Sequence, residues 1–379
     1  MSTAAPAVQW LRTGREIFPA MLAAIHSAHE SVRLETYICT DGKIGQQFRD
    51  ALTAAAQRGV RVCLLVDALG CWSLPETFFL PLLAAGGNVR RFNPLHLWRF
   101  GVRDHRKLLV CDEHTAFIGG FNLADEYDGD GVHSGWCDLG LRIETGALIR
   151  ELSASFDELF ALASFRRRPL LRLRVFKRRR KSRVLPAGAS LWNRPGPAAS
   201  PLHSALHHDF AHARDVRIIT AYFLPTRKLR RDLLHLLRRG GHVQLILAGK
   251  SDVLLAQLAG RSLYRRLLAA GVEIYEYQPQ ILHAKLVMAD QVVYAGSANF
   301  DVRSLKLNYE LMLRFDDKTV AAGAREIFED TLKHCRKIEL PQWHASQTLW
   351  QRCQQRWAHF LLARLDVFCA LRQFQALGK

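Results

Sequence analysis

The chain has no run of about 18 apolar residues free of charge, so the sequence predicts no membrane-spanning helix. Its first residues, MSTAAPAVQWLRTGREIF, lack the basic start and apolar core of a secretory leader. Paired cysteine motifs are missing too. The 8 cysteines, at 39, 63, 71, 111, 137, 335, 353 and 369, form no C-x-x-C. Several lie in apolar, strand-like runs, which predicts reduced, mostly buried thiols instead of a disulfide framework. Acidic residues are few beside basic ones: 35 Asp+Glu against 53 Lys+Arg leaves a net charge of +18. A surplus this large calls for an anionic partner, either nucleic acid or an acidic membrane surface, and charge alone does not choose between them. Apolar residues are plentiful, at 49% of 379, enough for two domains or one large one.

One pattern occurs twice. Residues 103–122 (RDHRKLLVCDEHTAFIGGFN) contain His105, Lys107 and Asp112 in the spacing H-x-K-x4-D, followed by Gly119, Gly120 and Asn122. Residues 282–299 (LHAKLVMADQVVYAGSAN) contain His283, Lys285 and Asp290 in the same spacing, followed by Gly296, Ser297 and Asn299. A single copy would be a weak signal. Two copies, 178 residues apart and each trailed by a Gly-small-x-Asn segment, mark an internal duplication. In an extended chain, residues two apart share a face, so His and Lys of each copy project together. The apolar residues that follow, Leu108 to Val110 and Leu286 to Met288, suit buried strands. Pairing the copies puts two imidazoles and two ammonium groups around one pocket. That set suits a phosphodiester: the lysines and Asn residues hold the non-bridging oxygens, one histidine attacks phosphorus, and the other protonates the leaving alkoxide. The ammonium groups supply the positive charge, so the pattern predicts neither metal nor cofactor.

Along the chain, helical and strand patterns alternate in each half, which predicts an α/β sandwich with helices on both faces of a sheet. The expected helices include 15–30, 44–58, 146–163, 199–213, 226–239, 252–270 and 317–335. Between the halves, residues 166–183 hold eleven Lys or Arg among eighteen and no acid. We read 1–165 as the first lobe, 166–198 as a basic linker, 199–340 as the second lobe and 341–379 as an amphipathic tail. The linker is either a solvated charge run or an arm that touches anionic headgroups. In the tail, Trp350, Cys353, Trp357, Phe360, Leu361, Phe368 and Leu371 form a stripe over 345–377. That helix either docks on the protein's own core or lies in a membrane surface.

The duplicated motif resembles the signature of the phospholipase D superfamily. Asn299-Phe300-Asp301-Val302-Arg303-Ser304-Leu305, Asn308-Tyr309-Glu310, Phe92-Asn93-Pro94, Arg103-Asp104 and Tyr222-Phe223-Leu224-Pro225 are similar to the corresponding segments of bacterial cardiolipin synthases, and the resemblance covers roughly residues 10–335. Without spanning helices, the chain is most similar to their shorter type, often called cardiolipin synthase B. The resemblance implies two similar phospholipase D-like α/β/α sandwich lobes with the active site at their pseudo-twofold interface. It also implies a phosphatidyl group passing between phosphatidylglycerol molecules through a phosphohistidine, with release of glycerol. A hydrolase or nuclease using the same site is the rival reading. The implied partner is anionic phospholipid, phosphatidylglycerol, in a membrane surface, with nucleic acid disfavoured. The implied state is a monomer attached peripherally to the cytoplasmic side of the cell membrane.

Residue by residue, the resemblance assigns catalysis to His105, Lys107, His283 and Lys285, with His105 as nucleophile and His283 as acid by family habit. Asp112 and Asp290 either orient the opposite histidine or cap a turn, and we count them provisionally with the catalytic set. Asn122, Asn299, Ser297 and Glu310 are the expected substrate-binding residues. Glu310 also resembles a carboxylate that fixes a histidine tautomer, and Asp138, at a different spacing, is its candidate counterpart. His208-Asp209-Phe210-Ala211-His212 imitates a zinc helix, but Asp is short and no third ligand is apparent. His203 and His207 read as surface residues.

Overall fold

The structure is a computed structural model that describes residues 7–93, 101–144, 146–163, 189–194 and 200–365. The first half runs β1 (Ala7–Leu11), α1 (Gly14–His26), β2 (Ser31–Thr36), α2 (Lys43–Gln57), β3 (Arg61–Asp67), α3 (Leu80–Ala84), β4 (Asn88–Phe92), β5 (Leu108–Cys111), β6 (Thr115–Gly119), β7 (Gly140–Glu144) and α4 (Gly146–Ala163). The second half begins with β8 (Ala189–Asn193), α5 (Pro201–His212), β9 (Asp215–Thr220), β10 (Phe223–Leu224), α6 (Arg227–Arg238), β11 (His242–Ala248), α7 (Leu254–Arg261) and α8 (Tyr264–Ala269). It continues with β12 (Glu273–Tyr277), β13 (Leu286–Ala289), β14 (Val292–Gly296), β15 (Phe300–Asp301), α9 (Val302–Lys306), β16 (Glu310–Asp316), α10 (Lys318–Leu332), β17 (Cys335–Ile338), α11 (Leu340–Ser346) and α12 (Leu349–Phe360).

Each half builds one large mixed sheet, and β10 and β15 add a small parallel pair in the second. The first has the order β1-β7-β6-β5-β2-β3-β4, the second β17-β12-β11-β9-β13-β14-β16-β8. Strands β2, β3 and β4 are parallel, as the strand–helix rhythm predicts, and so are β9, β11 and β12. The motif strands β5 and β13 run antiparallel to β2 and β9. Both sheet faces are covered, and the motif strands alternate accordingly. Leu108 and Val110 enter a core shared by both halves, while Leu109 and Cys111 enter the outer core of the first lobe. Leu286 and Met288 join the shared core, and Val287 and Ala289 the outer core of the second lobe. The shared core also takes Leu152, Phe156 and Leu159 of α4 and Ala324, Ile327 and Phe328 of α10. The two lobes are thus fused by apolar burial, and the strand ends that carry the motifs are held face to face.

Three expectations change. Ala189–Asn193, read as part of the linker, is strand β8, paired with β16 as β1 is paired with β7. The second lobe therefore starts at β8, before residue 199. The stretch 252–270 is two helices, α7 and α8, broken at Ser262-Leu263. Among the described residues the tail is likewise two helices, and Thr348 starts α12 with a capping box to Gln351. Helix α12 docks through Gln355 and Ala358 and turns Trp350, Trp357 and Phe360 to the outside. The basic arm 166–183, Pro94 and the end of the tail with Phe368, Cys369 and Leu371 lie outside the described residues.

Candidate active site

The residues before each motif strand cross to the other lobe. The His105 N–H donates to the Tyr309 carbonyl at 3.0 Å, and the Tyr309 N–H to the Arg103 carbonyl at 2.8 Å. In the mirror arrangement, the His283 N–H donates to the Cys137 carbonyl at 2.7 Å, and the Cys137 N–H to the Ile281 carbonyl at 2.9 Å. These bridges bring the residue after Tyr309, Glu310, and the residue after Cys137, Asp138, to the opposite histidine. His105 Nδ1 lies 3.0 and 3.1 Å from the Glu310 carboxylate oxygens. His283 Nδ1 lies 2.6 Å from Asp138 Oδ2. Each histidine of one lobe is therefore paired with a carboxylate of the other, and neither lobe alone completes a pair. With Nδ1 engaged, Nε2 is left as the working nitrogen of both rings.

The lysines fold back onto the same edge. Lys107 Nζ donates to the His105 carbonyl at 2.8 Å, and Lys285 Nζ donates to the His283 carbonyl. His105 and Lys107 sit in the extended lead-in to β5, one step before the regular strand begins. Rings close the walls: Tyr37 lies 5.0 Å from His105, and Tyr127 and Trp136 lie 5.3 and 5.5 Å from His283. Sequence reasoning did not find these rings, because nothing in their spacing repeats between the halves.

Electrostatically the six groups form one unit. Burial holds His105 well below the ordinary imidazole range, helped by Lys107 and Lys285, so its resting ring is neutral. His283 is also lowered, first by burial and then by Lys285, while Asp138 opposes the shift. Burial lowers Lys107 to about 7 and Lys285 to about 8, with Glu310 and Asp138 pulling both back up. Burial raises Glu310 to about 7 against the pull of Lys107. The consequences have opposite signs. As pH rises through 7 to 8 the lysines lose their charge, and as pH falls below about 7 Glu310 loses the charge that holds the His105 Nδ1–H. We expect a narrow bell in kcat/KM with its maximum near neutrality, and a flat profile from acid to alkaline pH contradicts this electrostatic account.

The other candidates are placed differently. Asp112 and Asp290 are corrections: they lie at the far end of the motif strands, roughly 16 Å along the chain from the lysines. Asp112 has φ 51° in the β5–β6 hairpin turn, and its carboxylate accepts from the N–H groups of His29, Glu30 and Ser31, each at 2.8 Å. Asp290, at φ 53°, accepts from Arg214 at 3.1 Å and Asp215 at 2.9 Å. Both therefore cap turns. Asp112→Ala orphans three amides and should lower unfolding stability by about 2–3 kcal/mol, with turnover of the folded protein unchanged. Chemical denaturation beside a rate measurement checks this, and loss of turnover at full stability restores a catalytic role.

Ser297 is committed to the carboxylate, donating to Glu310 Oε2 at 2.5 Å and accepting from the Leu311 N–H at 3.0 Å. Its counterpart is Gly120, where a Cβ would stand 2.1 Å from Asp138 Oδ1, so only glycine leaves room for that carboxylate. Asn122 is occupied as well, accepting from the Ile38 N–H at 3.1 Å and donating to the Tyr127 hydroxyl at 2.6 Å. The Asn299 side-chain oxygen is buried without a partner among the described residues. Away from the site, Asp209 turns inward to Arg314 and Tyr294 and does not join His208 and His212. His203, expected at the surface, is buried against Thr226 at 2.8 Å, while His207 stays half-exposed on Asp232.

Known proteins are similar to this chain in sequence and in fold. The family model "Cardiolipin synthase, PLD-like domain" matches residues 21–160 and 207–332, one segment in each lobe. The chain is 32% identical over 354 residues to Cardiolipin synthase 1 of Bacillus anthracis, covering 89% of this chain and 68% of that protein. It is 27% identical over 367 residues to Cardiolipin synthase A of Escherichia coli O1:K1 / APEC, covering 93% and 74%. Among solved structures, the phosphatidylserine synthase of Haemophilus influenzae Rd KW20 superposes with a TM-score of 0.75 over 96% of this chain and 95% of that one, at 16% identity, a likeness of fold. With a family match in both lobes and a paired histidine site between them, the chain belongs to the cardiolipin synthase family of phospholipase D-like enzymes.

Proposed function

We propose that this protein is a cardiolipin synthase that moves the phosphatidyl group of one phosphatidylglycerol to the headgroup hydroxyl of another. The observation that carries the reading is the crossed pairing of His105 with Glu310 and His283 with Asp138. It supplies two oriented imidazoles at one phosphoryl site. His105 is the nucleophile in this reading. Its ring is held neutral, and it is more open than His283, with 12% against 5% of the side chain exposed. The close Asp138 carboxylate opposes the lowering of His283 and so keeps that ring nearer to carrying the proton an acid must give.

In the first step His105 Nε2 forms a bond to phosphorus. The phosphorus–oxygen bond to glycerol breaks, and the leaving oxygen takes the Nε2 proton of His283. In the second step the hydroxyl of an incoming phosphatidylglycerol gives its proton to His283 and attacks phosphorus, and the phosphorus–nitrogen bond breaks. The products are cardiolipin and glycerol, and both histidines return to their starting states. Lys107 and Lys285 face the phosphoryl oxygens throughout, where their charge is worth most as the transition state gathers negative charge. One chain completes the site, so a monomer suffices.

No helix among the described residues is long and apolar enough to cross a membrane. In this reading the enzyme meets its lipid from the surface. The seven described cysteines are free thiols, which fits the cytoplasmic side. Incubation with phosphatidylglycerol and chromatography of the lipids tests the reading. Cardiolipin with an equal amount of glycerol is expected. Phosphatidic acid as the main product makes the protein a hydrolase instead, and no lipid product overturns the reading.

A further inference from the structure

On the second lobe, apart from the paired histidines, α6, α8, α9, α11 and α12 enclose a groove of about 1530 Å³. Nine arginines, two lysines and three histidines line it, with no Asp or Glu among the described residues. Helix α6 shows how the sequence makes this surface. Leu229, Leu233 and Leu236 enter the core at helical spacing, and the remaining positions include Arg227, Arg230 and Arg231. Helix α8 adds Arg265 and Arg266 from across the groove, and α12 adds Arg356.

Elsewhere in the protein buried guanidinium groups are matched by carboxylates: Arg33 by Asp157, Arg106 by Glu35, Arg314 by Asp209. In the groove, Arg230 is half-buried and Arg265, Arg266 and Arg356 are exposed, and none of the four has a carboxylate partner among the described residues. The crowding is felt: burial, then Arg266 and Arg227, lower the affinity of Arg230 for its own proton. Like charges held this close without internal partners are stabilised when anions from outside fill the space between them.

The rim of the groove is apolar. Positions 352, 356 and 359 of α12, and 363 just beyond its end, line the groove together with Phe360, and Trp357 follows on the solvent side of the same helix. Trp350, Trp357 and Phe360 are 71%, 62% and 54% exposed. Leu349 and Leu365 near the ends of this helix, and Leu254 on the neighbouring α7, are also exposed. Aromatic rings alone would serve a single-stranded nucleic acid by stacking, but exposed leucines have nothing to offer a base. Rings and aliphatics beside an unpaired cationic groove match the boundary between headgroups and acyl chains.

We propose that this groove and the outer edge of α12 form a bilayer-docking surface, in which phosphates of anionic phospholipids occupy the arginine groove while Trp350, Trp357 and Phe360 enter the headgroup–acyl boundary. The choice of phosphatidylglycerol as the anionic lipid rests on the functional reading above. The docking surface also lies next to the chemistry in the chain. Helix α9, whose Val302, Leu305 and Lys306 line the groove, begins three residues after Asn299.

The test is binding of the full chain to phosphatidylglycerol vesicles, with phosphatidylcholine vesicles as the control. The triple variant Arg230→Gln, Arg266→Gln, Arg356→Gln should bind phosphatidylglycerol vesicles at least about tenfold more weakly at low salt. The pair Trp357→Ser, Phe360→Ser should lose the binding that survives high salt. Activity on detergent-dispersed lipid should stay at the parent level in both. A lysine version of the triple variant, which keeps the charge, should bind like the parent. If the triple variant does not fold, Arg356→Gln with Trp357→Ser, both on the exposed side of α12, carries the same test. Parent-like vesicle binding by the variants overturns the proposal. So does a matching loss of detergent activity, which would make the groove part of the catalytic centre. Loss of oligonucleotide binding with vesicle binding intact overturns it in favour of nucleic acid. Vesicle binding is read without turnover, so a protein that docks through this surface and makes no cardiolipin upholds the surface and refutes the functional reading.

Discussion

His105→Ala and His283→Ala should each lower phosphatidyl transfer by at least about 10⁴-fold. In the proposed mechanism both rings do chemistry that no neighbour can take over. Without His105 there is no nitrogen at phosphorus, and without His283 the glycerol oxygen must leave as an alkoxide, without its proton. The fold should survive both changes, because the motif leads are held by backbone bridges to Tyr309 and Cys137, which an alanine retains. The double variant should be hardly worse than either single one, since residues that act as a unit do not contribute additively. The two variants differ in what they leave behind: His283→Ala retains the nucleophile, so a donor with a better leaving group than glycerol should recover part of its rate. His105→Ala gains nothing from such a donor. Rates of both variants with both donors check the assignment, and recovery in His105→Ala reverses the roles.

Lys107→Met and Lys285→Met should each cost about 3 kcal/mol of transition-state stabilisation, roughly a hundredfold in kcat or more. Methionine keeps the length and the buried contacts and removes only the charge and its donors. The argument rests on burial: Lys107 is 4% and Lys285 2% exposed, so water cannot substitute for the missing ammonium. Burial lowers both lysines, so an arginine variant at either position, which keeps its charge, should extend activity to the alkaline side. A methionine variant within threefold of the parent would remove the lysine from the phosphoryl site.

Much of the centre was legible because it is written twice. The H-x-K pairs fix both histidines and both lysines by spacing alone, and the apolar residues after them identify the strands that hold the pairs rigid. The carboxylates were harder. Asp138-Leu139-Gly140-Leu141-Arg142 and Glu310-Leu311-Met312-Leu313-Arg314 share an acid-Leu-x-Leu-Arg pattern, but the loop before Asp138 is longer and breaks the common offset. The structure adds what one dimension hides, that each carboxylate serves the histidine of the other lobe. Asp112 and Asp290 show the opposite hazard. They recur at a fixed distance from the lysines because each hairpin needs the same turn residue and the same amide cap. Repetition thus marks shared architecture, and only geometry separates the repeated site from the repeated turn. Strands β1 and β8 carry no periodic signal of comparable strength, since each is a short edge whose side chains meet different neighbours.

The most direct test of the central claim is to capture the covalent step. The protein is mixed briefly with phosphatidylglycerol labelled at phosphorus, quenched in base and digested, and the labelled peptide is sequenced. The account predicts a label that is stable in base and lost in acid, carried by the peptide containing His105, absent from His105→Ala and retained in His283→Ala given a donor with a good leaving group. A label on a serine, threonine or cysteine, or cardiolipin formation at full rate with no label on either histidine, would contradict it.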